Sequence, residues 1–142
     1  MGQATTFTLE VPTRNRCEFV DVTRRVQAVV DQAVADWAGV DTGTVICYVP
    51  HTTAGITIQE NADPDVVHDV LWKLEQLIPK NEHAYRHAEG NTDSHIKASM
   101  MGSSVTVLIS GGKLVFGTWQ GIYFTEFDGP RTRRMIVKVI AD

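Results

Sequence analysis

The run TVICYV at residues 44–49 is continuously apolar and carries four β-branched residues. A segment of that length with no polar face predicts a central strand covered on both sides. The rest of the chain has to supply that cover. TTFTLEV (5–11) alternates polar and apolar residues, the pattern of a half-buried strand, and 18–22 extends or pairs with it. Val26, Val29, Val30, Ala33, Val34 and Trp37 recur at helical spacing over 23–37, and Gly39 supplies a stop. GITIQE (55–60) is a further strand.

ADPDVV opens a second helix over 63–78. Asp63 suits the N-cap, Pro64 the first helical position and Asp65 the positive end of the helix dipole. Val67, Val70, Leu71, Leu74 and Ile78 form its expected buried face. Residues 80–93 read as irregular, and a short helix is predicted over 94–101, stopped by Gly102. Strands follow at 104–109, 113–116, 121–127 and 134–140, with SGGK (110–113) as a hairpin turn. The order predicts one α+β domain over 1–142, an antiparallel-rich, sandwich-like sheet packed with helices.

Composition excludes some functions. A formal net charge of −4, with 43% hydrophobic and 21% charged residues, argues against a nucleic-acid partner, which needs a clustered basic face. RTRR at 131–134 is the local exception. No apolar run approaches the ~20 residues of a membrane span. Cys17 and Cys47 form no CxxC pair, and Cys47 reads as a small buried hydrophobe. The start lacks the pattern of a secretory signal, and the strand-like FTLEV (7–11) soon after Gly2 argues against acylation there. A cytoplasmic chain without a membrane partner is expected.

The chemistry is concentrated in three places. His51 follows the strand at 44–49 in VPHTTAG, a strand exit where a rigid element holds a loop. It admits two readings, a structural imidazole on a backbone carbonyl, or a metal ligand or general base. YRHAEGNTDSHIKASMMG (85–102) gathers His87 and His95 around Glu89, Asn91 and Asp93. Their spacing is not that of a zincin helix, yet a loop that folds back can bring both rings near His51. Glu89 and Asp93 then orient the rings, or are a solvated acid and a helix cap. Lys97 is either a phosphate ligand or an exposed lysine. His68 and His83 read as surface residues. GTWQGIYFTEFDGPRTRR (117–134) offers Trp119 and Gln120 to a planar ring, or a core tryptophan at a turn. Glu126 is a candidate acid or base, and Arg131, Arg133 and Arg134 can hold phosphate or form a solvated turn.

HTTAGITIQENADPDV, HAEGNTDSHIKASMMG and GTWQGIYFTEFDGPR, in that order, resemble the signature segments of the YjbQ family. The resemblance implies a compact α+β homotrimer and a thiamine-phosphate synthase activity beside an unknown main role. That reaction joins a pyrimidine diphosphate to a thiazole phosphate and releases pyrophosphate. It also implies a divalent metal (zinc, magnesium or manganese) on His51, His87 and His95. With the resemblance, His51, Asp65 and Glu126 are expected in catalysis, and Glu60, Asn61, Lys97, Trp119 and Gln120 on a phosphorylated substrate, where Arg131, read from its residue type, is expected to join them. Two other functions stay open: a metal-dependent hydrolase of a phosphate or other ester, and a non-catalytic trimeric module that binds a small molecule or metal. No Gly-rich phosphate loop or acidic magnesium cluster is evident.

Overall fold

The computed structural model describes residues 3–142; Met1 and Gly2, and with them the acylation question, lie outside the described residues. The elements are β1 (Ala4–Pro12), β2 (Glu18–Asp21), α1 (Thr23–Val34), β3 (Gly43–Tyr48), β4 (Ala54–Glu60), α2 (Pro64–Leu77), α3 (Thr92–Met101), β5 (Ser104–Ser110), β6 (Lys113–Leu114), β7 (Gln120–Glu126) and β8 (Thr132–Ala141). They form two antiparallel sheets, ordered β1-β8-β3-β5-β6 and β2-β7-β4.

The sheets share one core. Val45 and Cys47 of β3, Val107 and Ile109 of β5, and Val137 and Val139 of β8 meet Ile56, Ile122 and Phe124 of the second sheet. Val26, Val29, Val30 and Ala33 of α1 pack into the same cluster, as their spacing predicts. Each fully buried aliphatic side chain contributes about 1.5–3 kcal/mol by leaving water. Burial also pushes the Cys47 thiol pKa up to about 12, so it stays protonated.

β3 is central, as expected, with β8 on one side and β5 on the other. Its cover is one-sided, however: Val45 and Cys47 are fully buried, while Thr44 and Ile46 are half-buried and Tyr48 is exposed. The strand enclosed on both faces is β7, buried from Gly121 to Glu126. Its buried polar residues are Thr125 and Glu126.

Three other expectations shift. α1 ends at Val34, and Trp37 enters the core from the following turn. α3 starts at Thr92, two residues early. α2 has its Asp63 cap, which accepts from the Asp65 N–H at 2.9 Å, but only Leu74 of its apolar stripe is buried. Val70 and Leu71 pack partway onto a second small core with Ala98 and Phe127, and Trp72 stays 56% exposed. α2 is thus held by one seam against α3, not by the main core.

Phe124→Ala is expected to cost about 3–5 kcal/mol in urea unfolding, because it opens a cavity between the sheets. Trp72→Ala should lie within roughly 1 kcal/mol of the parent. Equal losses at the two positions would refute the core assignment.

Candidate functional site

β4 pairs with β7 so that Ala54 faces Glu126. The loop entering β4 and the loop leaving β7 must therefore emerge at the same sheet edge. α3 packs over β4 and brings its first turn to that edge. Three segments distant in sequence converge there on a cavity of about 650 Å³, lined by His51, His87, Asn91, His95, Asp128 and Arg131 among others. A second cavity of about 520 Å³ shares His51 and His95 with the first and continues past Ala54, Ala98 and Gly102.

The backbone N–H of Arg134 donates to Nε2 of His51 at 2.9 Å. Burial, then the nearby positive charge of Arg133, holds the His51 pKa below its usual value, so the ring is neutral near pH 7. His87 and His95 meet edge to face, their ring centroids 5.3 Å apart. Glu89 lies 3.8 Å from His87. Asn91 donates to Asp128 at 2.8 Å, and Asp128 also pairs with Arg131 at 3.2 Å. With its amide nitrogen turned to the carboxylate, the Asn91 Oδ1 is buried without a partner. Asn91 and Asp128 join the two loops, a link whose only sequence signal is an Asn before a helix and an Asp in FDGPR.

Several expected site residues have other work. Glu126 is fully buried and accepts from Thr13 Oγ1, the guanidinium of Arg133, and the backbone N–H groups of Phe127 and Asp128. A carboxylate so fully occupied is an anchor for the 127–133 loop, not a free acid or base. Lys97 is 1% exposed and bridges Asp93 and Glu75 at 3.0 Å each, so it ties α3 to α2 and is not a phosphate ligand. Asp93 is buried too, held by both guanidinium nitrogens of Arg16, and neither caps α3 nor orients a histidine. Asp65 lies exposed at the start of α2, away from the cavity residues.

Glu60, Asn61, Trp119 and Gln120 form a separate cluster. Glu60 pairs with Gln120 at the opposite end of the β4–β7 ladder, six residues from Ala54 and so roughly 20 Å away. Asn61 bonds to the Trp119 carbonyl at 3.0 Å and to Asp21 at 3.2 Å, and Trp119 is 60% exposed. Within one chain these four do not reach the histidines. It was the family resemblance that had grouped them with the histidines, on motif position and not on strand register.

The three histidines share a cavity, but their geometry does not fit a metal shell built by one chain. The lone pair of His51 Nε2 is taken by the Arg134 N–H. Among the described residues no group of three His, Cys, Asp or Glu side chains is placed to hold a metal ion.

A two-sheet α+β domain with a histidine-lined cavity at the sheet edge is the class that fold and site define. The chain matches the family model described as "UPF0047 protein YjbQ-like" over residues 7–142, and it belongs to that family. It is 47% identical to UPF0047 protein YugU of Bacillus subtilis, over 94% of this chain and 97% of the relative. A UPF0047 protein of Methanocaldococcus jannaschii is 50% identical over 96% of this chain and 94% of its own. The crystal structure of a yjbq/upf0047 family protein from Clostridium acetobutylicum, 51% identical, superposes with a TM-score of 0.87 and covers 94% of this chain and 98% of its own. Among the described residues no helix is long and apolar enough to cross a membrane.

Glu126→Gln keeps the shape but leaves the Arg133 guanidinium buried without a counter-charge. Its expected cost in urea unfolding is about 3–5 kcal/mol; a loss below about 1 kcal/mol would sink the anchoring role.

Asp93 gives a pH signature. Burial pushes its pKa up, but the hydrogen bonds from Arg16 and Lys97 outweigh this and hold it below the usual carboxylate range. A carboxylate with a depressed folded pKa contributes stability that is present above the unfolded pKa and lost as pH falls through the folded one. Unfolding free energy should therefore fall as pH drops below about 4. Asp93→Asn should flatten that slope while lowering stability at neutral pH. An unchanged slope in the variant would contradict the assignment.

Proposed function

We propose that the cavity around His51, His87 and His95 is an active site that couples two small molecules, at least one of them phosphorylated. The thiamine-phosphate synthase reaction of the resembling family is the specific form of this reading. Its main support is the pair of adjoining cavities with His51 and His95 in their shared wall. A reaction that joins two molecules needs a place for each, with the reacting atoms at the boundary, and such placement supplies much of the rate. A hydrolase of one ester needs a single cavity.

In the synthase form, the thiazole nitrogen attacks the methylene carbon of the pyrimidine diphosphate. The carbon–oxygen bond breaks, and pyrophosphate leaves with the electron pair. Negative charge grows on the departing oxygens, where Arg131 and imidazole N–H groups lower the barrier. Arg131 is the cation with most freedom to do this, since Arg133 is committed to Glu126 and Thr53. No step is routed through a metal.

A homotrimer forms part of the proposal. It is supported by the apolar side chains left exposed on the single chain, including Leu108, Val115 and Trp119. In such an assembly Glu60, Asn61, Trp119 and Gln120 would reach a cavity as a neighbour's contribution.

The test is incubation of the purified protein with a pyrimidine diphosphate and a thiazole phosphate, with chromatographic detection of coupled product and pyrophosphate. Coupled product that falls on the order of 10²-fold in His95→Ala is expected. Phosphate release without coupling would replace the reading with a hydrolase. Ligand binding without turnover would leave a binding module. The same preparation, sized by light scattering, should give three times the 15.7 kDa chain.

A further inference from the structure

We infer that His51 serves the cavity as a neutral hydrogen-bond donor, with its proton on Nδ1, and that its partner is a phosphoryl oxygen rather than a cation. This deepens the proposed active site and rests on that reading of the cavity.

The inference starts from the Arg134 N–H. Arg134 lies in β8, opposite Glu10 in the β1–β8 ladder, so strand pairing fixes the direction of its N–H. That N–H points at His51 Nε2 at 2.9 Å. A backbone donor cannot turn round to accept, so Nε2 must present a lone pair. A neutral imidazole has one N–H, and with Nε2 bare the proton sits on Nδ1. Among the described residues nothing partners Nδ1, and the ring lines both cavities. The unpaired donor is therefore available to a ligand.

The same geometry disfavours the alternatives. Ligation of a cation through Nδ1 moves the proton to Nε2, where it opposes the Arg134 N–H, donor against donor. Full protonation brings the same conflict. A general base needs a free lone pair, and the only one is in use. What remains is a donor that needs an acceptor. The guanidinium groups of Arg131 and Arg133 line the same cavity and favour an anionic acceptor. The carboxylate of Asp128, also in the wall, is engaged by Asn91 and Arg131, and Glu89 sits nearer His87. A neutral imidazole aimed at developing negative charge stabilises it without first losing a proton.

The experiment is nitrogen-15 NMR of protein labelled at histidine, near neutral pH, with His51 assigned by comparison with His51→Ala. The expected spectrum shows a proton-bearing Nδ1 and a bare Nε2 at His51. Inorganic pyrophosphate should shift the Nδ1–H signal, and zinc should leave both nitrogens in place. Pyrophosphate affinity should fall roughly tenfold to a hundredfold in His51→Ala, as for loss of one hydrogen bond to a charged group. His51→Asn, which keeps an N–H near the Nδ1 position, should retain most of it and guards against a fold defect in the alanine variant. A proton on Nε2, or loss of the Nδ1–H signal on adding zinc, overturns the donor role. A response to pyrophosphate at His87 and His95 but not at His51 also overturns it, while leaving the cavity's phosphate reading intact. No response at any of the three overturns both.

Discussion

The buried ion pair of Glu126 and Arg133 is the contact on which the rest of the sheet edge depends. Arg133 donates to Glu126 through both Nε and Nη2, and to Thr53 Oγ1 through Nη2. Glu126 in turn holds Thr13 beyond β1 and the N–H groups of Phe127 and Asp128. One charge pair thus ties the ends of β1 and β7 to the starts of β4 and β8. Removing two charges from water is costly, and only this density of hydrogen bonds offsets it. In return the loops at this edge have little freedom, and two of them carry His51 and Asp128.

Gly129 shows how closely the edge is packed. A Cβ there would meet the Asn15 carbonyl, Thr13 Oγ1 and the Glu126 side chain, so no larger residue fits without movement of the anchor. A second cluster of charges, centred on the buried Asp93 and Lys97, extends the arrangement behind α3. Asp93, Arg16 and Lys97 join that helix to the loop before β2 and, through Glu75, to α2. Charged residues near the cavity therefore divide into two sets. Those fully withdrawn from water hold its walls, and those at the surface, His87, Glu89 and Arg131, face what enters.

Much of the secondary structure was legible in the sequence. The valines of α1, the Asp63–Pro64 start of α2 and the alternation of β1 are local patterns, and local patterns survive folding when the core they imply exists. The convergence of His51 with His87 and His95 was readable only in part, as a strand exit and a loop able to fold back. Lys97, Asp93 and Glu126 were misjudged for one reason. A charged side chain in isolation suggests solvent or substrate, and nothing at its own position announces a buried partner 4, 7 or 77 residues away.

The sequence by itself determined the alternation of strands and helices, the antiparallel α+β class, the apolar positions of the core and, through its three long motifs, the family. These follow from periodicity and from residue type. Only the tertiary structure decided which polar residues are walls and which are ligand-facing, that Glu60, Asn61, Trp119 and Gln120 stand at the far end of the ladder, and which nitrogen of His51 is free. Those depend on strand register and on buried charge pairing, which join residues far apart in the chain and leave no local trace.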